Sequence, residues 1–265
     1  MLWDKTSYTA DISYLTNVFI YEYDISKANI NVLFTKNIID QQTYEFLYNA
    51  PRMVRQVYVG KLCKDRSISD SLKAGIIEAK KIFFEANNIT DRDVLSIKND
   101  AVFLINKKPT ITKFGFIEFM KKNVYTSFFK LNNMEYYYYY SNITKEEYLD
   151  IKGISDDSLI LHEGCFLQVI KDIFYSIQIN GPEISLRMLK DVYNEYITLQ
   201  LPINYYRCFN SESMFHFKFQ SKLGTGYKIE TASEEQKTML DITYNLSILI
   251  ELQRILIYQY FNKHS

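Results

Sequence analysis

The sequence lacks what would staple a small secreted fold or hold a soft metal. Its three cysteines, Cys63, Cys165 and Cys208, lie far apart with no Cys-x-x-Cys pair. This excludes a disulfide framework and fits reduced thiols in a cytosolic compartment. The three histidines are equally scattered, so the Cys/His set of a zinc site is missing too. Glycine and proline are scarce, at 8 and 4 of 265 residues. Gly224-Thr225-Gly226 is too short for a phosphate loop and reads as a hairpin turn. No apolar run reaches membrane-spanning length. The most apolar stretch, 239–261, contains Asp241, Glu251 and Arg254 and reads as a buried helix. The amino terminus, MLWDKTSYTADISY, is not a signal peptide. Nor is one charge in excess: 31 basic residues balance 31 acidic ones, so the whole chain is no simple polyanion binder. The expectation is a soluble, cytoplasmic protein without membrane contact.

What the chain does have is length and aromatic side chains. At 265 residues it can bury a sizeable core, as one large domain or two small ones. Tyrosine (23) and phenylalanine (18) are frequent, but Asn, Ile, Lys, Tyr and Phe share AT-rich codons, so aromatic content alone carries no functional argument. Charge is unevenly distributed. Residues 51–66 hold Arg52, Arg55, Lys61, Lys64 and Arg66 against Asp65 alone, whereas 141–165 lean acidic. A local basic segment is either a phosphate contact or a solvated helix face.

The coarse organisation is α+β. Residues 15–24 (LTNVFIYEYD) are β-branched and aromatic and read as a strand ending near Asp24, with Ile20, Glu22 and Asp24 on one face. Residues 38–49 read as a helix that stops at Pro51, and 52–62 as a second helix on which Arg52 and Arg55 share a face. In 69–88, Leu72, Ile76, Ala79, Phe83 and Ala86 recur at three- and four-residue steps, with Ser69 or Ser71 as cap. Then VLSI, KNDA and VFLI read as strand, turn and strand, with Asp100 at the turn. Residues 113–120 and 124–140 read as further strands. The tyrosine run 136–140 is expected to alternate between core and solvent rather than to stack bases. A domain boundary is expected in the polar stretch 141–157. Beyond it, 158–178 and 182–199 read as helices, 205–230 as strands and 233–262 as a long helix, with Ser233 and Gln236 at capping-box spacing.

Two-metal phosphoryl transfer needs two carboxylates on rigid backbone, close enough to share a pair of magnesium ions. Hard oxygen ligands suit magnesium, so Asp serves rather than His or Cys. A carboxylate at a strand end facing one in a neighbouring hairpin turn supplies that arrangement, and Asp24 and Asp100 are the expected pair.

The same residues resemble a known family. Tyr23-Asp24-Ile25-Ser26-Lys27-Ala28-Asn29-Ile30 resembles the first palm motif of DNA polymerases, a strand-end Asp followed by a turn into a helix. Val94 to Phe103 resembles the third palm motif of family B enzymes, a hairpin written Asp-Thr-Asp-Ser; Asp100 falls on its second, metal-binding Asp, and Lys98 replaces the first. Residues 52–62 (RMVRQVYVGKL) are similar to the finger helix that grips the incoming triphosphate, though its Asn-Ser-x-Tyr-Gly pattern is not preserved. Residues 117–153 are similar to the strands after the hairpin, with Lys121, Lys122 and Tyr125 near the primer end and Asp150-Ile151-Lys152-Gly153-Ile154 entering a thumb.

The resemblance implies a polymerase-palm-like antiparallel sheet flanked by helices with minimal fingers over 1–155, and a thumb-like, mostly helical domain with a β-hairpin over 156–265. It implies a template-directed nucleotidyltransferase of viral or phage type, using Mg2+, nucleoside triphosphates and a primer–template, and working alone or with a second protein subunit that supplies the missing domains. Asp24 and Asp100 would be catalytic and hold metal. Arg52, Arg55 and Lys61 would contact the triphosphate. Asn29 would stand at the ribose gate, where a small residue would tolerate ribonucleotides. Lys121, Lys122 and Tyr125 would contact nucleic acid. Against full catalytic competence stand Lys98, the missing finger pattern and the short fingers. These leave open a palm-derived replication accessory or scaffold without catalysis, or an unrelated α+β interaction protein.

Overall fold

The computed structural model describes residues 2–131, 134–152, 165–200, 217–220, 226–229, 246, 249–254 and 256–257. The fold is α+β, with an antiparallel sheet flanked by helices. The chain forms two compact units: Met1–Ile12 with Val18–Tyr125, and Ser13–Asn17 with Thr126–Ser265.

The first unit begins with a single 3-10 turn, Leu2–Asp4, and runs β1 (Ser7–Thr9), β2 (Tyr14–Ile25), α1 (Ala28–Thr35), α2 (Gln41–Asn49), α3 (Arg52–Leu62), α4 (Arg66–Ala86), β3 (Val94–Lys98), β4 (Ala101–Ile105), β5 (Lys113–Phe114) and β6 (Ile117–Leu131). Its strands lie in the order β1-β3-β4-β2-β6, with β5 on β6. Strand β4 is antiparallel to both β2 and β3. Those two strands are therefore parallel, joined by the four helices with β4 inserted between them, which is a split β-α-β unit.

Local chemistry sets the boundaries. The Asp40 carboxylate accepts from the Thr43 N–H at 2.7 Å and starts α2. Pro51 holds Ala50 extended and ends it. The cap of α4 lies four residues before Ser69: the Asp65 carboxylate accepts from the Ser67 N–H at 2.8 Å. The apolar stripe of α4 packs inward as expected. Phe83 is fully buried, stacked on Phe119 with ring centres 4.0 Å apart and tilted against Tyr23 at 5.7 Å.

Gly75 lies where α4 meets α1. A Cβ there would stand 2.3 Å from Val32 Cγ1. Glycine inside an exposed helix normally weakens it relative to alanine. Here the sign reverses, because β-branched Val32 is stiff and cannot swing away. Gly75→Ala should destabilise the unit by about 1–3 kcal/mol in a denaturant titration. Adding Val32→Ala should recover part of the loss relative to the sum of the two single changes.

The second unit contains the end of β6, then β7 (Met134–Tyr140), β8 (Glu147–Lys152), α5 (Cys165–Asn180), α6 (Pro182–Ile197), β9 (Phe217–Gln220) and β10 (Gly226–Ile229). Strands β6, β7 and β8 pair in that order, and β9 with β10 forms a separate antiparallel two-stranded sheet. The stretch 124–140 is thus parts of two strands, and the polar stretch after it contributes β8.

The tyrosine run departs from simple alternation. Tyr136, Tyr137 and Tyr138 are all fully buried, so both faces of β7 are covered. Tyr136 and Tyr138 pack with Phe129, Ile170, Ile173 and Phe174, joined by Leu249, Leu252 and Leu256. Tyr137 lies on the other face, against Phe128, and its hydroxyl donates to Glu135 at 2.8 Å. Helical residues at 246, 249–254 and 256–257 agree with the expected last helix, while the rest of 233–262 lies outside the described residues. So do 158–164 and most of the Gly224-Thr225-Gly226 turn.

Candidate carboxylate site

Asp24 sits one residue before the end of β2, paired in register with Ala101 of β4. Asp100 precedes Ala101 in the two-residue turn that joins β3 to β4. The turn is made possible by Asn99, whose φ of 55° is a left-handed conformation that asparagine tolerates. Register alone therefore brings the two carboxylates to one corner of the sheet, and their side chains are hydrogen-bonded.

Two carboxyl groups bond this way by sharing a proton, and the titration of Asp24 reflects it. Its carboxyl is pushed from an ordinary 3.8 up to about 6. Burial is the largest cause, then the charge of Asp100, opposed by Lys122; the bond to Asp100 and the charge of Glu22 raise it further.

Glu22, two residues earlier on the same face of β2, is buried. Its Oε2 accepts from the Tyr125 hydroxyl at 2.7 Å and from Asn123 Nδ2 at 2.9 Å. Tyr125 is fully buried and braces Glu22, with no ring face at the surface. Lys121 and Lys122 are exposed on β6, Lys122 close enough for its charge to act on Asp24. Lys98, which stands in place of a carboxylate on the hairpin, donates from Nζ to Thr9 Oγ1 at 3.2 Å.

Of the basic residues that follow β2, Lys27 and Arg55 lie near each other. Arg52 and Lys61 are exposed on α3, and Asn29 is exposed in the first turn of α1. Arg55 donates to the Ala50 carbonyl at 3.2 Å. Lys27, at the cap position of α1 with φ 46°, donates to the Tyr48 carbonyl at 2.7 Å and lies 3.3 Å from the centre of the Tyr48 ring. Its ammonium is held below the ordinary lysine range by burial and by the charge of Arg55. Two cations are thus tied to carbonyls two residues apart, and among the described residues neither has an ion-pair partner. Sequence reasoning named Arg55 but missed Lys27, although the segment after Asp24 contains it.

The donors at the corner are hard oxygens, the chemistry a divalent cation such as Mg2+ prefers. A cation there would replace the shared proton and relieve the repulsion of the pair. Among the described residues no group of three or more His, Cys, Asp or Glu could hold a metal. An ion at this corner would have two protein carboxylates, those of Asp24 and Asp100, with water or substrate completing its shell.

Fold and site define a class: an α+β chain whose split β-α-β unit brings two carboxylates together at one corner of its sheet, with Lys122 acting on them. The sequence matches the family described as Bacteriophage PBS1 gene 130 protein over residues 1–258, and the chain belongs to that family. The expectation of a viral protein agrees with this membership. No curated protein matches it. Among the described residues no helix is long and apolar enough to cross a membrane.

Proposed function

We propose that the chain is a template-directed nucleotidyltransferase of the DNA polymerase type, working alone or as one subunit of a split phage polymerase. The observation that carries this reading is the Asp24–Asp100 pair, assembled by strand register at a strand end and a hairpin turn. The hairpin position, the split β-α-β topology and the exposed cations all favour it. Asp24 and Asp100 would hold the metal. Bound there, Mg2+ would acidify the attacking hydroxyl and neutralise the leaving pyrophosphate. Lys27 and Arg55, with Arg52 and Lys61, would orient the triphosphate, since unpaired cations suit phosphate oxygens. Asn29, in the first turn of α1, would face the ribose. Lys121 and Lys122 would lie along the primer–template backbone.

A second reading is a palm-derived replication accessory or scaffold without catalysis. Two observations favour it: Lys98 in place of a hairpin carboxylate, and Glu22 committed to Tyr125 and Asn123.

Primer extension separates the two. The purified chain with Mg2+ or Mn2+ should extend a primed template, and Asp24→Ala and Asp100→Ala should each lose at least about 10³-fold of the rate while keeping their circular dichroism. Absence of extension with nucleic-acid binding retained would favour the scaffold.

A further inference from the structure

Lys80 is the only lysine or arginine among the described residues that is buried, and its exposure is 0%. It lies on the inward face of α4, one turn before Phe83 and Phe84, where a leucine or methionine would normally pack. A buried ammonium is costly unless its donors are satisfied. Among the described residues no carboxylate touches it. Instead Nζ donates to the carbonyl of Lys5 and, at 3.1 Å, to the carbonyl of Asn99. Asp100 and Asp4 act on it at longer range and offset part of the burial; its pKa still falls to about 8.

The acceptor explains why a cation is there. Asn99 is the left-handed residue of the β3–β4 turn, and its N–H donates to the Thr6 carbonyl at 2.7 Å. The residue is therefore gripped at both ends, its N–H by Thr6 and its carbonyl by Lys80. The next residue is Asp100. A methionine at position 80 could fill the volume but could not hold the carbonyl, so the turn would lose one of its two anchors.

We propose that Lys80 is a positioning residue. By clamping the Asn99 carbonyl from beneath the hairpin, it fixes the backbone from which Asp100 meets Asp24. The proposal rests on the reading of Asp24 and Asp100 as cation ligands, and its test separates the two claims.

In Lys80→Met, the Asn99 amide should lose at least tenfold in hydrogen-exchange protection, while the Leu104 amide in the middle of β4 keeps its own. Affinity for Mn2+ alone, read by electron paramagnetic resonance, should fall at least tenfold. Unchanged protection at Asn99, or unchanged Mn2+ affinity in a chain whose wild type binds the ion, would overturn the proposal. If the wild type binds no Mn2+, the nucleotidyltransferase reading fails, and the Asn99 amide alone decides the role of Lys80. Should Lys80→Met not fold, the wild type decides by nuclear magnetic resonance with labelled lysine nitrogen. A slowly exchanging Lys80 ammonium coupled through its hydrogen bond to the Asn99 carbonyl carbon upholds the clamp. An ammonium exchanging as fast as those of surface lysines overturns it.

Discussion

Asp24→Asn should make the metal-free chain more stable at neutral pH. The folded carboxyl of Asp24 titrates near 6, against 3.8 ordinarily. Between those values the folded state binds the proton more tightly than the unfolded state. The stability contributed by the protonated pair is therefore present in full below about pH 4 and is lost as pH rises through 6. At pH 7 the chain carries two repelling carboxylates in a half-buried corner. Asparagine removes one charge and can still donate to Asp100. Allowing for solvent screening at a half-exposed group, the gain should be about 1–2 kcal/mol at pH 7 and close to nothing at pH 4. Denaturant midpoints of wild type and variant at the two pH values check this. A variant less stable than wild type at pH 7 would mean that the pair is an ordinary structural contact. A gain, together with loss of primer extension, is the trade expected where function requires an unfavourable arrangement.

Divalent cations should reverse the same penalty. A cation between the carboxylates replaces the shared proton, so Mn2+ should stabilise the wild type at pH 7 much more than at pH 5, where protons compete. At a concentration about 100-fold above its dissociation constant the gain is roughly 2.7 kcal/mol. For a chain of this size that amounts to roughly 5–10 °C in melting temperature. Asp24→Asn and Asp100→Asn should each lose most of the shift. An equal shift in wild type and both variants would place the ion elsewhere on the molecule.

How far the sequence reveals this site depends on the range of the interactions. Asp24 at a strand end and Asp100 in a turn are legible because β-branched runs and short polar breaks act over a few residues. Helix α3 is legible because Pro51 sets its start. What pairing of distant segments creates is not legible. Nothing local indicates that Tyr125 bonds Glu22, about a hundred residues away, although the two-residue period does put Glu22 on the face of Asp24. Lys27 becomes a partner of Arg55 only when the α2–α3 junction folds over it. Lys80 stands in a Lys-Lys pair that reads as helix surface, and only the packing of α4 under the hairpin buries it. The tyrosines of β7 defeat alternation because both of its faces are covered, which the strand's own pattern does not encode. Asp65 is not legible as the cap of α4, because two serines nearer the apolar stripe fit the same role.

On the proposed reading, Asp24 and Asp100 form one cation-binding corner. Paramagnetic broadening of backbone amide signals by substoichiometric Mn2+ tests it most directly. Broadening should begin at residues 22–26 and 98–102 together and disappear in Asp24→Asn. Broadening centred on another acidic segment, such as 146–150, or none at these two segments at millimolar Mn2+, would contradict it.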